Sequence, residues 1–243
     1  MHPYGPILSK DLSKAIGKKS VKDYALTIRT GYLHDLILLA KNYGINLFLP
    51  GYIENAGPRK YLSAALVYGY DGRVVRYRKM FLTDYEEKVG LSYGTKPQVF
   101  TLDHVSFTVM LDNELLYPEL ARLNLLFSDF LVAGIPQNEP PKKYDSIVKT
   151  ISRVNNSVTI VPGGRIFRSS TLYNSLPTMI IDGEGEILYR YNEDEQGLIL
   201  IPTKWVKHGR EKNFREIKRI YNLFKRYLSR WVGRSGDRES DHG

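Results

Sequence analysis

Between Ser20 and Tyr43 the apolar residues Val21, Tyr24, Ala25, Ile28, Tyr32, Leu36, Leu39 and Ala40 fall at helical spacing, and Gly44 stands where a glycine would end the helix. The pattern then changes. Ile45-Asn-Leu-Phe-Leu-Pro50 is a short apolar run suited to a buried strand, and the stretches 61–70 and 74–77 flank Asp71-Gly72, a dipeptide typical of tight hairpin turns. A second strand pair, Val99–Leu102 and Val105–Leu111, surrounds Asp103-His104. Pro118–Phe127 reads as a helix, Phe130–Gly134 as a buried strand, the run from Asn138 to Lys143 as a loop and Tyr144–Asn155 as a helix. Val158–Pro162 is a strand, and 179–181 with 187–191 form a hairpin about Asp182-Gly-Glu-Gly185. Leu198–Ile201 completes the series as a last strand. Strands alternating with helices, with inserted hairpins, predict a layered α/β fold with a mixed sheet.

The final periodic segment differs in kind. From Asn213 to Trp231 the residues Phe214, Ile217, Ile220, Tyr221, Phe224, Tyr227, Leu228 and Trp231 form a helical stripe, with Lys218, Arg219, Lys225, Arg226 and Arg230 elsewhere around it. Between Lys204 and Arg234 lie eleven Lys or Arg against two Glu, which accounts for the whole net charge of +9. Three uses are open for it: a helix docked on the domain or on a second subunit, an anionic-membrane surface helix, or a nucleic-acid contact. The chain accordingly divides into a domain over 1–203, a basic amphipathic helix over 204–232 and a disordered tail over 233–243.

A chain of 243 residues with 42% hydrophobic residues can build one sizeable core. It has no cysteine, which excludes disulfides, thiolate metal sites and cysteine chemistry. No run of 18 apolar residues exists, so no membrane span is expected, and the opening Met-His-Pro-Tyr-Gly-Pro lacks the layout of a secretory signal. The expected location is the cytoplasm. Abundant Lys, Arg, Glu, Ile and Tyr fit a thermophile. His2, His34, His104, His208 and His242 are scattered without metal-ligand spacing, and Pro162-Gly-Gly-Arg165 lacks the Lys-Ser/Thr ending of a phosphate loop. No metal or cofactor is implied.

Several stretches resemble the nitrilase, or carbon-nitrogen hydrolase, superfamily. Ala40 to Pro50 looks like its helix leading into a strand. Tyr61-Leu-Ser-Ala-Ala-Leu-Val, followed by Asp71 to Lys79, looks like its hairpin ending in the catalytic lysine. Tyr117-Pro-Glu-Leu-Ala-Arg122 is similar to the helix start that follows the nucleophile, and it aligns Asp112 with the catalytic cysteine. Ile151-Ser-Arg-Val-Asn-Asn and Ser175 to Leu188 resemble later family segments. The resemblance implies a four-layer α-β-β-α sandwich, here with an N-terminally truncated sheet and a basic C-terminal helix, and a homodimer or larger assembly.

The same resemblance implies a site at Lys79, Glu87 and Asp112, with Glu86 the off-by-one alternative to Glu87 as auxiliary acid. The family mechanism uses a cysteine thiolate as nucleophile, a glutamate as general base and a lysine to stabilise the oxyanion. Only Lys79 has a clear counterpart. Asp112 stands where the thiol belongs, and the strand-helix-strand that would end in the general-base glutamate has no counterpart before Met1-His-Pro-Tyr-Gly-Pro. We therefore expect either a start lying upstream of Met1 or a protein that covers the gap with a partner, the former being favoured because unpaired buried strand edges are costly.

On this alignment Glu87, Asp112 and Glu114 are expected to gather near Lys79, with an ion pair from Lys79 to Asp112 replacing the lysine-thiolate contact. Three functions remain open: a non-catalytic homologue that binds a small molecule or partner through the former pocket, a hydrolase in which Asp112 activates water while Lys79 polarises a carbonyl, and a nucleic-acid-associated protein using the basic helix.

Overall fold

The computed structural model describes residues 25, 32–135, 141–168, 171–191, 198–206, 218, 219, 221–223, 225 and 226. Two compact units divide the chain, Met1–His208 and Gly209–Gly243. The expectations for 20–31 and for the tail after 232 concern residues outside those described, apart from Ala25.

In the first unit, helix α1 (Tyr32–Tyr43) ends where the sequence suggests. Gly44 adopts φ +62°, and the amide of Ile45 donates back to the carbonyl of Ala40 at 3.0 Å, closing the last turn. A three-stranded antiparallel sheet follows, built from β1 (Leu47–Ala56), β2 (Arg59–Val67) and β3 (Val74–Arg78) in that order. Strand β1 runs six residues beyond the predicted stop at Pro50, because Gly57-Pro58 rather than Pro50 makes the turn. A register shift between Leu49 and Tyr52 absorbs the proline, which has no amide to donate to a ladder.

Short helix α2 (Asp84–Lys88) leads to the second sheet. Its strands are β4 (Val99–Leu102), β5 (Val105–Leu111), β6 (Phe130–Gly134), β7 (Val158–Val161), β10 (Thr178–Ile181) and β11 (Ile187–Tyr191), ordered β11-β10-β7-β6-β5-β4. Strands β5, β6 and β7 are parallel neighbours, joined by crossovers through α3 (Pro118–Leu125) and α4 (Pro141–Asn155). The intervening β8 (Gly164–Arg168) and β9 (Thr171–Leu176) make a separate hairpin.

Three differences from the sequence reading stand out. Helix α4 begins at Pro141, inside the segment read as a loop, since proline is tolerated in a first helical turn. The β8–β9 hairpin, Gly164–Arg168 with Thr171–Leu176, occupies a stretch to which the sequence reading assigned no strand. Residues 198–201 form no strand; α5 (Thr203–Val206) follows directly, with Leu198 and Leu200 exposed and Ile199 and Ile201 packed near Val158 and Ile180. A short, wholly apolar run, Leu-Ile-Leu-Ile, resembled a buried strand there, but no ladder partner accompanies it among the described residues.

The layers follow from which faces are apolar. Leu33, Ile37 and Ala40 of α1 pack on Leu49, Tyr52, Ala65 and Val67, the outer face of the first sheet. The opposite face, with Ile53, Leu62, Ala64, Leu66 and Tyr77, packs on Phe100, Phe107, Val109, Leu111 and Val132 of the second. Beyond that sheet, Met110, Leu131, Ala133, Val161, Met179 and Ile181 meet Leu120, Leu125, Tyr144, Val148 and Ile151 of α3 and α4. The order is therefore α-β-β-α, two sheets face to face with helices outside. Phe107 anchors the inner layer, with its ring 5.0 Å from Phe48 edge-on and stacked at 5.1 Å and 5.2 Å on Phe100 and Phe130.

The outer face of the first sheet also carries a charged cluster. Glu54 accepts from Arg78 through both oxygens at 2.8 Å and from the Ser63 hydroxyl at 2.9 Å, with Arg76 at 3.6 Å and the Arg78 guanidinium over the Tyr61 ring. Burial pushes the Glu54 carboxyl up, but the bonds from Arg78 and Ser63 and the two guanidinium charges outweigh it and leave it below its ordinary value of 4.5. A depressed folded value contributes stability above pH 4.5 that is lost as the pH falls below it. The wild type should therefore lose stability more steeply than Glu54→Gln as pH drops from about 5 to 3, as read by urea midpoints; parallel acid limbs would contradict this assignment.

Candidate functional site

Lys79 follows directly on β3, and its side chain is fully buried. The ammonium donates to both oxygens of Glu86, at 2.7 and 2.8 Å, and to Oδ2 of Asp112 at 3.2 Å. Every Nζ contact described is thus to a carboxylate. Stripping an ion of water costs several kcal/mol, so the two counter-ions are what make this burial tolerable.

Local sequence explains why Glu86 points inward. Thr83 caps α2, its hydroxyl accepting from the Glu86 amide at 3.3 Å, while Glu86 Oε2 accepts from the Thr83 amide at 2.7 Å. That reciprocal box fixes Glu86 at the third helical position with its carboxylate turned toward Lys79. Glu87 is one residue further round the helix and exposed, accepting from the Tyr93 hydroxyl. The structure therefore does not bring Glu87 to Lys79; it brings Glu86, the alternative one position earlier. The Thr83-Asp-Tyr-Glu86 spacing was the available signal for preferring Glu86.

Asp112 sits where β5 ends and a single 3₁₀ stretch, Asp112–Leu116, begins. Its backbone is left-handed, with φ +56°. Aspartate tolerates this region better than most residues, and an abrupt strand-to-helix turn here lifts the side chain off the end of the strand. That side chain is 25% exposed, receives Lys79 on Oδ2 and accepts from the Tyr144 hydroxyl on Oδ1 at 3.3 Å. Gly134 makes room beside the turn, since a Cβ there would lie 2.7 Å from the Leu111 side chain. Tyr144, on α4, was not foreseen, because an aromatic on the buried stripe of a helix reads as core.

Glu114 has a different office from the cluster of three carboxylates that sequence suggested. It is wholly buried and makes no described hydrogen bond to Lys79. Oε1 accepts from the Tyr77 hydroxyl at 2.6 Å and from the amides of Met80 and Phe81 at 2.7 and 3.3 Å, and Oε2 accepts from the Leu111 amide at 2.9 Å. One carboxyl thus ties the backbone just after Lys79 to the backbone just before Asp112. Burial pushes the pKa of its carboxyl above the ordinary value, against the opposing pull of the Tyr77 hydroxyl, the Leu111 and Met80 amides and the Lys79 charge. Burial and the neighbouring Glu114 likewise push the Tyr77 phenol far above its ordinary range. Above the site, Phe81 and Tyr117 stack at 4.6 Å, both part-exposed. Among the described residues, no three His, Asp or Glu side chains are arranged to hold a metal ion.

Two face-to-face sheets between helices give the chain a fold similar to that of solved members of the nitrilase superfamily. Among solved structures, the chain is similar to Nit3 of Saccharomyces cerevisiae, a member of branch 10 of that superfamily, with TM-score 0.60 and 18% identity over 72% of this chain and 68% of that one. It is similar also to the amidase of Nesterenkonia sp. AN1, at TM-score 0.61 and 17% identity over 77% and 74%, a protein trapped with acrylamide on its active-site cysteine. A carbon-nitrogen hydrolase from Helicobacter pylori G27 matches at TM-score 0.53 and 18% identity, and the chain spans 62% of its length. No protein-family model and no curated protein sequence matches this chain.

If Glu114 is the brace between the two site segments, Glu114→Gln places an amide donor against a group of backbone donors. It should cost about 2–3 kcal/mol in a denaturant titration and selectively speed hydrogen exchange at Met80 and Leu111. Unchanged exchange at those two amides would contradict the brace.

Proposed function

We propose that this chain is a carbon-nitrogen hydrolase superfamily homologue that no longer performs thiol-dependent amide or nitrile hydrolysis and acts as a non-catalytic binding or assembly protein. The observation that carries the reading is the occupancy of Lys79. Its ammonium is engaged by Glu86 and Asp112, so the charge that would stabilise an oxyanion is already neutralised by fixed carboxylates. The resemblance aligns Asp112 with the family's catalytic cysteine, so this chain has a carboxylate there, and it has no cysteine elsewhere.

Direct attack by Asp112 on an amide carbon would form a mixed anhydride with expulsion of a poor leaving group. Its oxygens are also held, one by Lys79 and one by Tyr144, which lowers their availability as nucleophiles. A supply of general base is the second need. Glu86 is tied to Lys79 and to the cap of α2, and Glu114 is wholly buried against four donors, so the oxygens of both are committed within the protein and not turned to a substrate. The former pocket then serves for recognition of a small molecule or for assembly with a second copy, as the exposed Phe81–Tyr117 pair beside it suits.

Assays on short-chain amides, nitriles and N-carbamoyl amino acids should show no turnover above the buffer rate. Hydrolysis abolished by Asp112→Ala would overturn the reading in favour of a hydrolase that uses Asp112 with Lys79. Asp112→Cys should yield a thiol that iodoacetamide alkylates, with still no steady turnover; turnover in that variant would show that a general base is present and that one substitution alone silences the site.

A further inference from the structure

The second unit carries a feature that the site at Lys79 does not explain. Residues 218, 219, 221–223, 225 and 226 are helical, and Lys218, Arg219, Asn222, Leu223 and Arg226 line a concavity of about 490 Å³. Lys218, Asn222 and Arg226 are four residues apart in succession, so they share one helix face, and Arg219 and Leu223 lie beside them. Three cations and an amide thus converge on one hollow, with no carboxylate among its described lining. This is also the stretch, Lys204 to Arg234, that holds the whole net positive charge.

We propose that this face binds the phosphate backbone of a nucleic acid. Lys218 and Arg226 are eight positions apart, about 12 Å at helical rise. That is the span of roughly three to four successive phosphates along one strand of a duplex. Arginine forks and a side-chain amide are the groups that grip phosphate oxygens, and Tyr221, 61% exposed on the same helix, adds a ring suited to stacking at the margin.

The alternative occupant, an anionic membrane, fits the pattern less well. A surface helix inserts its apolar side and uses the cations that flank that side, while those in the middle of the polar face point to water. By sequence spacing, Asn222, Arg226 and Arg219 fall roughly opposite the apolar positions of the segment, so a membrane would leave them unused. A polyanion laid on the polar face uses all three.

The test is fluorescence anisotropy of the full chain with 20-base-pair DNA and RNA duplexes of random sequence, alongside vesicles of phosphatidylserine and phosphatidylcholine. About three phosphate contacts predict a loss of affinity of roughly 20–40-fold between 50 and 200 mM salt. Arg219→Glu with Arg226→Glu should weaken binding at least about tenfold at 50 mM salt, while Lys96→Glu on the other unit leaves it within about twofold. Should the double reversal lose its circular dichroism signal, Lys218→Gln with Arg219→Gln gives the milder form of the same test. Preference for RNA or for DNA identifies which backbone is the ligand. Absence of binding to both, binding indifferent to salt, binding unaltered by the substitutions, or binding to vesicles alone overturns the proposal.

Discussion

A fully buried ammonium is the constraint around which this site is arranged. Lys79 has no water to solvate it, so carboxylates must, and the fold delivers two from different directions. One comes through a helix cap that turns Glu86 inward, the other through a left-handed turn that raises Asp112 off the end of β5. Glu114, beneath them, holds the two backbones at a fixed distance by accepting from both. Each device answers a local requirement, and together they leave the lysine satisfied. An oxyanion-stabilising lysine must instead keep some of its field for charge that develops in the reaction.

The layers were legible in the chain because they rest on periodicity. The α1 stripe ending at Gly44, the Asp71-Gly72 hairpin, and the pairs Val99–Leu102 with Val105–Leu111 each carry a local signal that packing reinforces. Lys79 and Asp112 were legible for another reason, since Tyr117-Pro-Glu anchors the turn before α3 and so places Asp112 by count. What escaped was decided by groups distant in sequence. Glu86 against Glu87 is a one-residue question that the resemblance left open and the Thr83 cap decides. Tyr144 reaches Asp112 across 32 positions, and the brace at Glu114 spans 34 to Met80; neither has a signature in local pattern. Residues 198–201 are a continuous apolar run like a buried strand but have no ladder partner among the described residues, which no window of four residues reveals.

Charge is distributed along the chain with the same separation of roles. The first 203 residues and the last nine are together neutral, and their charges are spent in internal pairs such as Glu54 with Arg78 and Lys79 with Glu86. The surplus sits in one segment, where Lys218, Arg219 and Arg226 line one concavity.

A double-mutant cycle on Lys79→Met and Asp112→Asn, read by the free energy of unfolding, tests the central claim directly. If Asp112 is the fixed counter-ion of Lys79, the two substitutions are coupled by about 1–3 kcal/mol in favour of the native pair. Additive effects, with coupling indistinguishable from zero, would mean that Asp112 does not hold the lysine and that its charge is free for some other use.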